Sequence, residues 1–105
     1  VRKVLDEGLP KGVCLNVNAP KGETLNGLRI CRQTKGVWTN EWKRNEHPRG
    51  GAYFWLTGNF VNVEPEMEDT DQWALSHGYL AVTPTQIDLT AYEMMNELKN
   101  WNLNI

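Results

Sequence analysis

Apolar and polar positions alternate through Val13, Leu15 and Val17 against Cys14, Asn16 and Asn18, the period of a strand with one apolar face. Pro20 and Gly22 end that strand, and Asn26-Gly27 reads as a turn. Leu28 and Ile30 then alternate with Arg29 and Cys31, which predicts a second strand to about Gln33, before Gly36 breaks the chain again. Ahead of both strands, Val1 to Leu5 is a helix-like run stopped by Gly8 and Pro10. The chain opens inside that run and without a methionine, so truncation from a longer protein is expected.

From Val37 to Glu46 the pattern is polar and interleaved with Trp38 and Trp42, two aromatics pointing one way on a strand. His47-Pro48-Arg49-Gly50-Gly51 is turn chemistry: proline presets the first bend and glycine admits positive φ. Ala52 to Leu56 returns as an aromatic strand, which gives a long hairpin over about 37–56. Its outbound arm is too polar to lie in a core.

Asp69-Thr70-Asp71 opens a short helix with acids at its positive end, and Gly78 is a natural residue to close it. Tyr79 to Val82 is a continuous apolar run bounded by Pro84, the mark of a strand buried on both faces. The best-signed element comes last. Thr90 and Glu93 form a capping box, Leu89 can staple onto Met94, and Ala91, Met94, Met95, Leu98 and Trp101 recur at helical spacing. A terminal amphipathic helix is predicted over about 90–102. The elements together predict an α/β fold: a mixed sheet, a long protruding β-hairpin and a C-terminal amphipathic helix.

Composition narrows the class. The chain has 105 residues, 40% of them hydrophobic, enough to bury roughly two-thirds of its unfolded surface, so a packed core is expected. No apolar run approaches the length of a membrane helix, and no charged-then-apolar leader suggests secretion; a cytoplasmic protein is expected. Net charge is −2, yet Lys21 to Gly51 holds seven Lys/Arg against three Glu, whereas from Ala52 onward Lys99 alone faces eight acids. The basic middle and acidic rear could meet each other or their copies in an oligomer. Strong DNA or RNA binding is disfavoured, because displacing counterions needs net positive charge. Cys14 and Cys31 lie on separate predicted strands and read as two reduced thiols rather than a bridge.

Little here reads as catalytic. Glu64, Glu66, Glu68, Asp69 and Asp71 lack the spacing of a calcium loop and read as a solvated run beside a helix start. His47 sits in a turn and His77 one residue before a helix-ending glycine, where an imidazole suits the helix dipole. Neither histidine has nucleophile or zinc spacing, and no phosphate-cradling glycine loop is present. Asn16 and Asn18 share a strand face and could hold a ligand or pin an adjacent turn. Lys43, Arg44 and Arg49 with Trp38, Trp42, Tyr53 and Trp55 combine cations and aromatic faces, which can bind bases or bury themselves against another subunit.

Several stretches in this order carry a resemblance. Leu9-Pro10-Lys11-Gly12 leads into Leu15-Asn16-Val17-Asn18-Ala19-Pro20; Pro48-Arg49-Gly50 and Tyr53-Phe54-Trp55 follow. Asp71-Gln72-Trp73-Ala74 then leads through Gly78-Tyr79-Leu80-Ala81-Val82-Thr83-Pro84 to Asp88-Leu89-Thr90. From Leu9 to about Thr90 the chain resembles the C-terminal part of the stationary-phase survival protein (SurE) family of metal-dependent nucleotidases. The family's metal-holding residues, paired N-terminal aspartates with a serine and an asparagine, map onto nothing here.

The resemblance implies a parent enzyme with a Rossmann-like N-terminal region, dephosphorylating nucleoside 5′- and 3′-monophosphates with magnesium or manganese. It also implies that the hairpin and terminal helix form oligomer contacts, the helix by exchange between protomers (a domain swap), so that this segment's partner is a copy of itself in a homodimer or homotetramer. Trp38, Trp42, Arg49, Met94, Leu98 and Trp101 are the candidate interface residues. Asn16, Asn18 and the Thr70-Asp71 motif are candidates for positions near the active site. No catalytic or metal-ligating residue is assigned within the chain, and the segment alone is expected to be inactive. His47 stands where the family commonly carries an aspartate, which bears on contacts at the hairpin tip. A free-standing binding module using its basic, tryptophan-bearing hairpin is the competing class.

Overall fold

Parallel pairing organises one of two compact units in the computed structural model, which describes residues 1–104. The elements in chain order are α1 (Arg2–Glu7), β1 (Val13–Asn18), β2 (Gly27–Ile30), β3 (Gly36–Thr39), β4 (Trp42–Glu46), β5 (Ala52–Leu56), β6 (Asn59–Asn62), α2 (Asp71–Ser76), β7 (Tyr79–Gln86) and α3 (Tyr92–Asn100). One sheet has the order β1-β7-β2, with β2 and β7 parallel; β3-β6 and β4-β5 are antiparallel pairs. The fold is α/β with a mixed sheet, as the sequence predicts. The units are Asn16–Thr83, and Val1–Leu15 together with the segment from Pro84 onward.

In the unit 16–83, register assigns the two sheet faces. Gly27 to Ile30 lie beside Tyr79 to Val82, so Arg29, Cys31, Tyr79 and Ala81 share one face and Leu28, Ile30, Leu80 and Val82 the other. Helix α2 covers the first face. Ala74 packs with Cys31 and Ala81, and the Arg29 guanidinium lies 4.8 Å from the Trp73 ring centroid. The second face is open along β2, with Leu28 57% and Ile30 70% exposed, whereas Val82 on β7 is buried. The expected packed core is therefore small: among the described residues only Cys31, Ala74, Ala81 and Val82 are buried hydrophobics. The apolar residues are present, but they stand on faces and arms that no other described element covers.

The hairpin is longer than its sequence suggests. Gly36, read above as a break, begins β3, and the return arm continues past Leu56 into β6. Gly36 is needed for close approach: a Cβ there would lie 2.3 Å from the Phe60 ring. The ladders β3–β6 and β4–β5 keep one register without a slip, interrupted where Asn40 takes φ 52° opposite Gly58. Trp38 belongs to the root ladder, 5.6 Å from Phe60 between ring centroids, whereas Trp42 belongs to the tip ladder opposite Leu56. The tip turn forms as expected, with Gly50 N donating to His47 O and His47 N donating to Gly51 O.

Helix α2 has the predicted ends. Thr70 is its N-cap, accepting from Trp73 N, and His77 followed by Gly78 at φ 81° closes it. Strand β7 runs on through Pro84 to Gln86, so that proline does not end it. In the other unit, α1 stops at Gly8 as expected. The capping box of the terminal helix does not form. The Asp88 carboxylate accepts from Thr90 N, the amide that Glu93 would have taken, and from the Tyr92 hydroxyl. The helix then starts one residue later, with Ala91 as an N-cap that makes no side-chain bond. Leu89 is 94% exposed, so it makes no staple onto Met94. Both cysteines are free, Cys14 exposed and Cys31 buried, and burial pushes the Cys31 thiol up. No helix among the described residues is long and apolar enough to cross a membrane.

One ion cluster joins the hairpin root to the sheet. Arg32 donates from Nη1 and Nη2 to the two Glu64 oxygens at 2.7 and 3.0 Å, and from Nε to Asp69 Oδ2 at 2.8 Å. Lys35 N also donates to Glu64 Oε1 at 2.7 Å. These donors, Arg32 foremost, hold the Glu64 carboxyl at about 2. A depressed carboxylate stabilises the native state fully above its ordinary range, and that stability is lost as pH falls towards the native value. Melting temperature should therefore fall between about pH 4.5 and 2 partly through Glu64. Glu64→Gln should melt lower at pH 7 and lose part of that slope; a slope identical to the unmutated chain would assign the acid loss to other carboxylates.

Candidate functional site

Two residues past the carboxyl end of β2 the chain turns into Arg32-Gln33-Thr34, and a short parallel bridge between Arg32 and Thr70 draws α2 alongside. Arg32 N donates to Asp69 O and Asp71 N to Arg32 O, each at 3.0 Å. This pairing brings Asp71 to Thr34. Asp71 Oδ1 accepts from Thr34 Oγ1 at 2.6 Å, Thr34 N at 2.9 Å and Gln72 N at 2.8 Å. Thr34 Oγ1 accepts in turn from Gln72 N at 3.1 Å, and Thr34 is buried. The aspartate is thus fixed through one oxygen.

A cavity of about 250 Å³ opens beside it, lined by Gln33, Thr34, Trp38, Phe60, Asp71 and Gln72. The hairpin root supplies the aromatic wall, Trp38 against Phe60, and the β2 exit and α2 start supply the polar one. Carboxyl ends of parallel strands are where open α/β sheets receive ligands, because backbone and loop groups converge there without a strand to occupy the space.

The sequence-flagged residues fall into distinct places. Asp71 lies at the cavity. Its neighbour Thr70 is fully buried, and its hydroxyl donates to Met67 O at 2.8 Å while capping α2, so it supports the site as scaffold. Asn16 and Asn18 share one face of β1, exposed, with Asn18 Nδ2 donating to Asn16 Oδ1 at 3.1 Å. His47 Nδ1 accepts from Arg49 N. His77 stacks on Trp73 at 3.8 Å between centroids and its Nδ1 donates to Trp73 O at 2.8 Å. Both histidines are thereby engaged locally. Met94 and Leu98 stand on α3 and Trp101 at its C-cap, none of them buried, and Trp42 and Arg49 on the hairpin tip are exposed.

Gln33, Thr34, Phe60 and Gln72 were not singled out from sequence. The signal that could have found them is positional: Thr34 sits just beyond the end of an apolar strand, where a polar run in an α/β chain faces the ligand edge. In the other unit a cleft of about 600 Å³ lies among Lys11, Gln86, Asp88 and Tyr92. There the Tyr92 hydroxyl and Thr90 N lower Asp88, so its carboxylate is already committed to its own chain. Among the described residues, no three of His, Cys, Asp and Glu converge on a point that could hold a metal ion.

Comparisons with known proteins bear on this arrangement. No protein-family model matches the chain. A 5′-nucleotidase SurE of Phocaeicola vulgatus is 71% identical over 98% of the chain, one of Bacteroides fragilis 50% over 95%, and one of Flavobacterium psychrophilum 49% over 97%. Among solved structures, the SurE protein from Aquifex aeolicus superposes with a TM-score of 0.66 at 33% identity, covering 97% of this chain and 42% of that one. These relatives carry the name 5′-nucleotidase SurE, and the solved SurE structure shares this chain's fold. The chain belongs to the SurE family as a C-terminal segment, and it spans about 40% of the length of the curated relatives it matches.

Thr34→Val tests the fixing of Asp71. It keeps the side-chain shape but removes one donor to the carboxylate and one acceptor for Gln72 N. A loss of about 1–3 kcal/mol is expected from a buried hydroxyl with two partners, read as a lower denaturation midpoint. An unchanged midpoint would mean that the Thr34 and Gln72 amides hold the aspartate unaided.

Proposed function

We propose that this segment belongs to a cytoplasmic, divalent-metal-dependent nucleotidase that hydrolyses nucleoside 5′- and 3′-monophosphates, and that its own role is to complete and assemble that enzyme. The observation that carries this reading is the identity, along almost the whole chain, with proteins named 5′-nucleotidase SurE. Magnesium or manganese would supply charge neutralisation at phosphate and a more acidic water. Among the described residues no three ligating side chains converge on a point, so this reading assigns the ion's ligands to the remainder of the longer enzyme.

The segment alone is therefore inactive. Incubated with nucleoside 5′- or 3′-monophosphates and either metal near neutral pH, it should release no phosphate above background, while the full-length protein turns over. Metal-dependent turnover by the segment at the full-length rate would overturn this division of roles.

Assembly with copies of itself is supported by two exposed apolar surfaces. The β4–β5 ribbon carries Trp42, Phe54 and Leu56 on one face and Tyr53 and Trp55 on the other. A two-stranded ribbon cannot bury both of its faces alone. Helix α3 carries Met94, Met95 and Leu98, with Trp101 at its C-cap, all exposed, and nine residues of helix are marginal without a packing partner. A homodimer or homotetramer through these residues follows. In the full-length protein Trp42→Ala should weaken association by about tenfold or more, as aromatic anchors do, measured by sedimentation velocity across concentration. Unchanged association would remove the ribbon from the interface.

A further inference from the structure

Resting on the nucleotidase reading, we infer that the cavity between Trp38 and Asp71 receives the base of the nucleotide. Its chemistry selects among the three parts of such a substrate. Neither Lys nor Arg lines it, and the Asp71 carboxylate does, so a phosphate dianion is excluded by charge. Its volume of about 250 Å³ is below the range of roughly 300–1,000 Å³ that encloses a whole small-molecule ligand, but it admits a single ring system.

The walls match a base specifically. Trp38 and Phe60 present aromatic surface at 5.6 Å between centroids, tilted by 59°, and bases stack on such surfaces because every base has a flat π-face. Opposite them stand three groups able to read a base edge. Asp71 is held through Oδ1 alone, and none of the described residues donates to its Oδ2, which remains an acceptor for an exocyclic amino group or ring N–H. The Gln33 and Gln72 carboxamides each add a donor and an acceptor, and Gln72 is fixed at its backbone by Thr34 and Asp71. A carboxamide can satisfy either a donor or an acceptor on the base, so this set accepts more than one base.

The site therefore sets substrate preference, and its residues are positioning residues remote from the phosphate. The test compares a nucleotide with a substrate that keeps ribose and phosphate but lacks a base. In the full-length enzyme, kcat/KM is measured for adenosine 5′-monophosphate and for ribose 5-phosphate, with Gln33→Ala, Gln72→Ala, Trp38→Ala and Trp38→Phe. The ratio of the two should fall about tenfold or more in Trp38→Ala, the loss expected of one stacked base, and recover partly in Trp38→Phe. Each glutamine variant should lower it several-fold, through KM. If both substrates fall in parallel or neither falls, so that the ratio holds, the base site is wrong while the nucleotidase reading stands. If the unmutated enzyme hydrolyses neither, the nucleotidase reading itself fails. Both glutamines lie at the surface edge of the cavity, so their result does not depend on whether Trp38→Ala folds.

Discussion

The geometry of the unit 16–83 depends on one guanidinium. Arg32 leaves β2 and immediately binds Glu64 bidentately and Asp69 through its third donor. Glu64 follows the return arm of the hairpin and Asp69 precedes α2, so the contact gathers three chain segments at one point. Planar two-point pairing fixes orientation as well as distance, which a lysine ammonium would not do. The pair lies partly shielded, with the Arg32 side chain 37% and the Glu64 side chain 16% exposed, which spares it the screening that makes open surface pairs weak. Lys35 N and Val63 N close the same root through Glu64 and the Lys35 carbonyl. Once the root is set, Trp38 and Phe60 stand beside Thr34 and Asp71, and the cavity exists.

The small core follows from the same arrangement. The α2 face of the sheet is satisfied, but the face of Leu28 and Ile30, the hairpin tip and the stripe on α3 remain exposed. Isolated exposed hydrophobics are ordinary on protein surfaces; contiguous ones on a sheet face and a two-sided ribbon are not. The chain spans about 40% of the length of its curated relatives and leaves these surfaces exposed.

Legibility in the sequence tracked how local each cause was. Strand β1, helix α2 with its acidic start at Asp69 to Asp71, and the hairpin turn at His47 to Gly51 were readable because their signals act within a few residues. The capping box at Thr90 failed for a local reason too: Asp88, two residues upstream, captured the amide first. What escaped was non-local. Gly36 looks like a breaker until Phe60, far along the chain, is seen to need its missing Cβ. Strand β6 was missed because Asn59–Asn62 has a short and weak alternation that only pairing with β3 stabilises. Glu64 and Asp69 read as solvated acids because their partner lies more than thirty residues away. The candidate site was half visible: Asp71 from its motif, and Thr34 and the glutamines only once the parallel bridge had brought them together.

The hairpin's interruption separates two demands that one flat ribbon could not meet. Its root must present Trp38 towards the Asp71 side, while its tip carries large apolar groups on both faces. Pairing lapses over Asn40, Glu41, Thr57 and Gly58 and resumes in the same register on the far side. Asn40 is among the few side chains that adopt positive φ at low cost, and Gly58 faces it where Trp38 Cε3 would lie 3.1 Å from a Cβ. Thr57 ties the break, donating its amide to Glu41 O and its hydroxyl to Asn40 O. A break held by two hydrogen bonds is a fixed bend, not a loose joint. The Arg32 cluster anchors the root of this hairpin beside the cavity, and the bend at Asn40 and Gly58 relates the tip to that root.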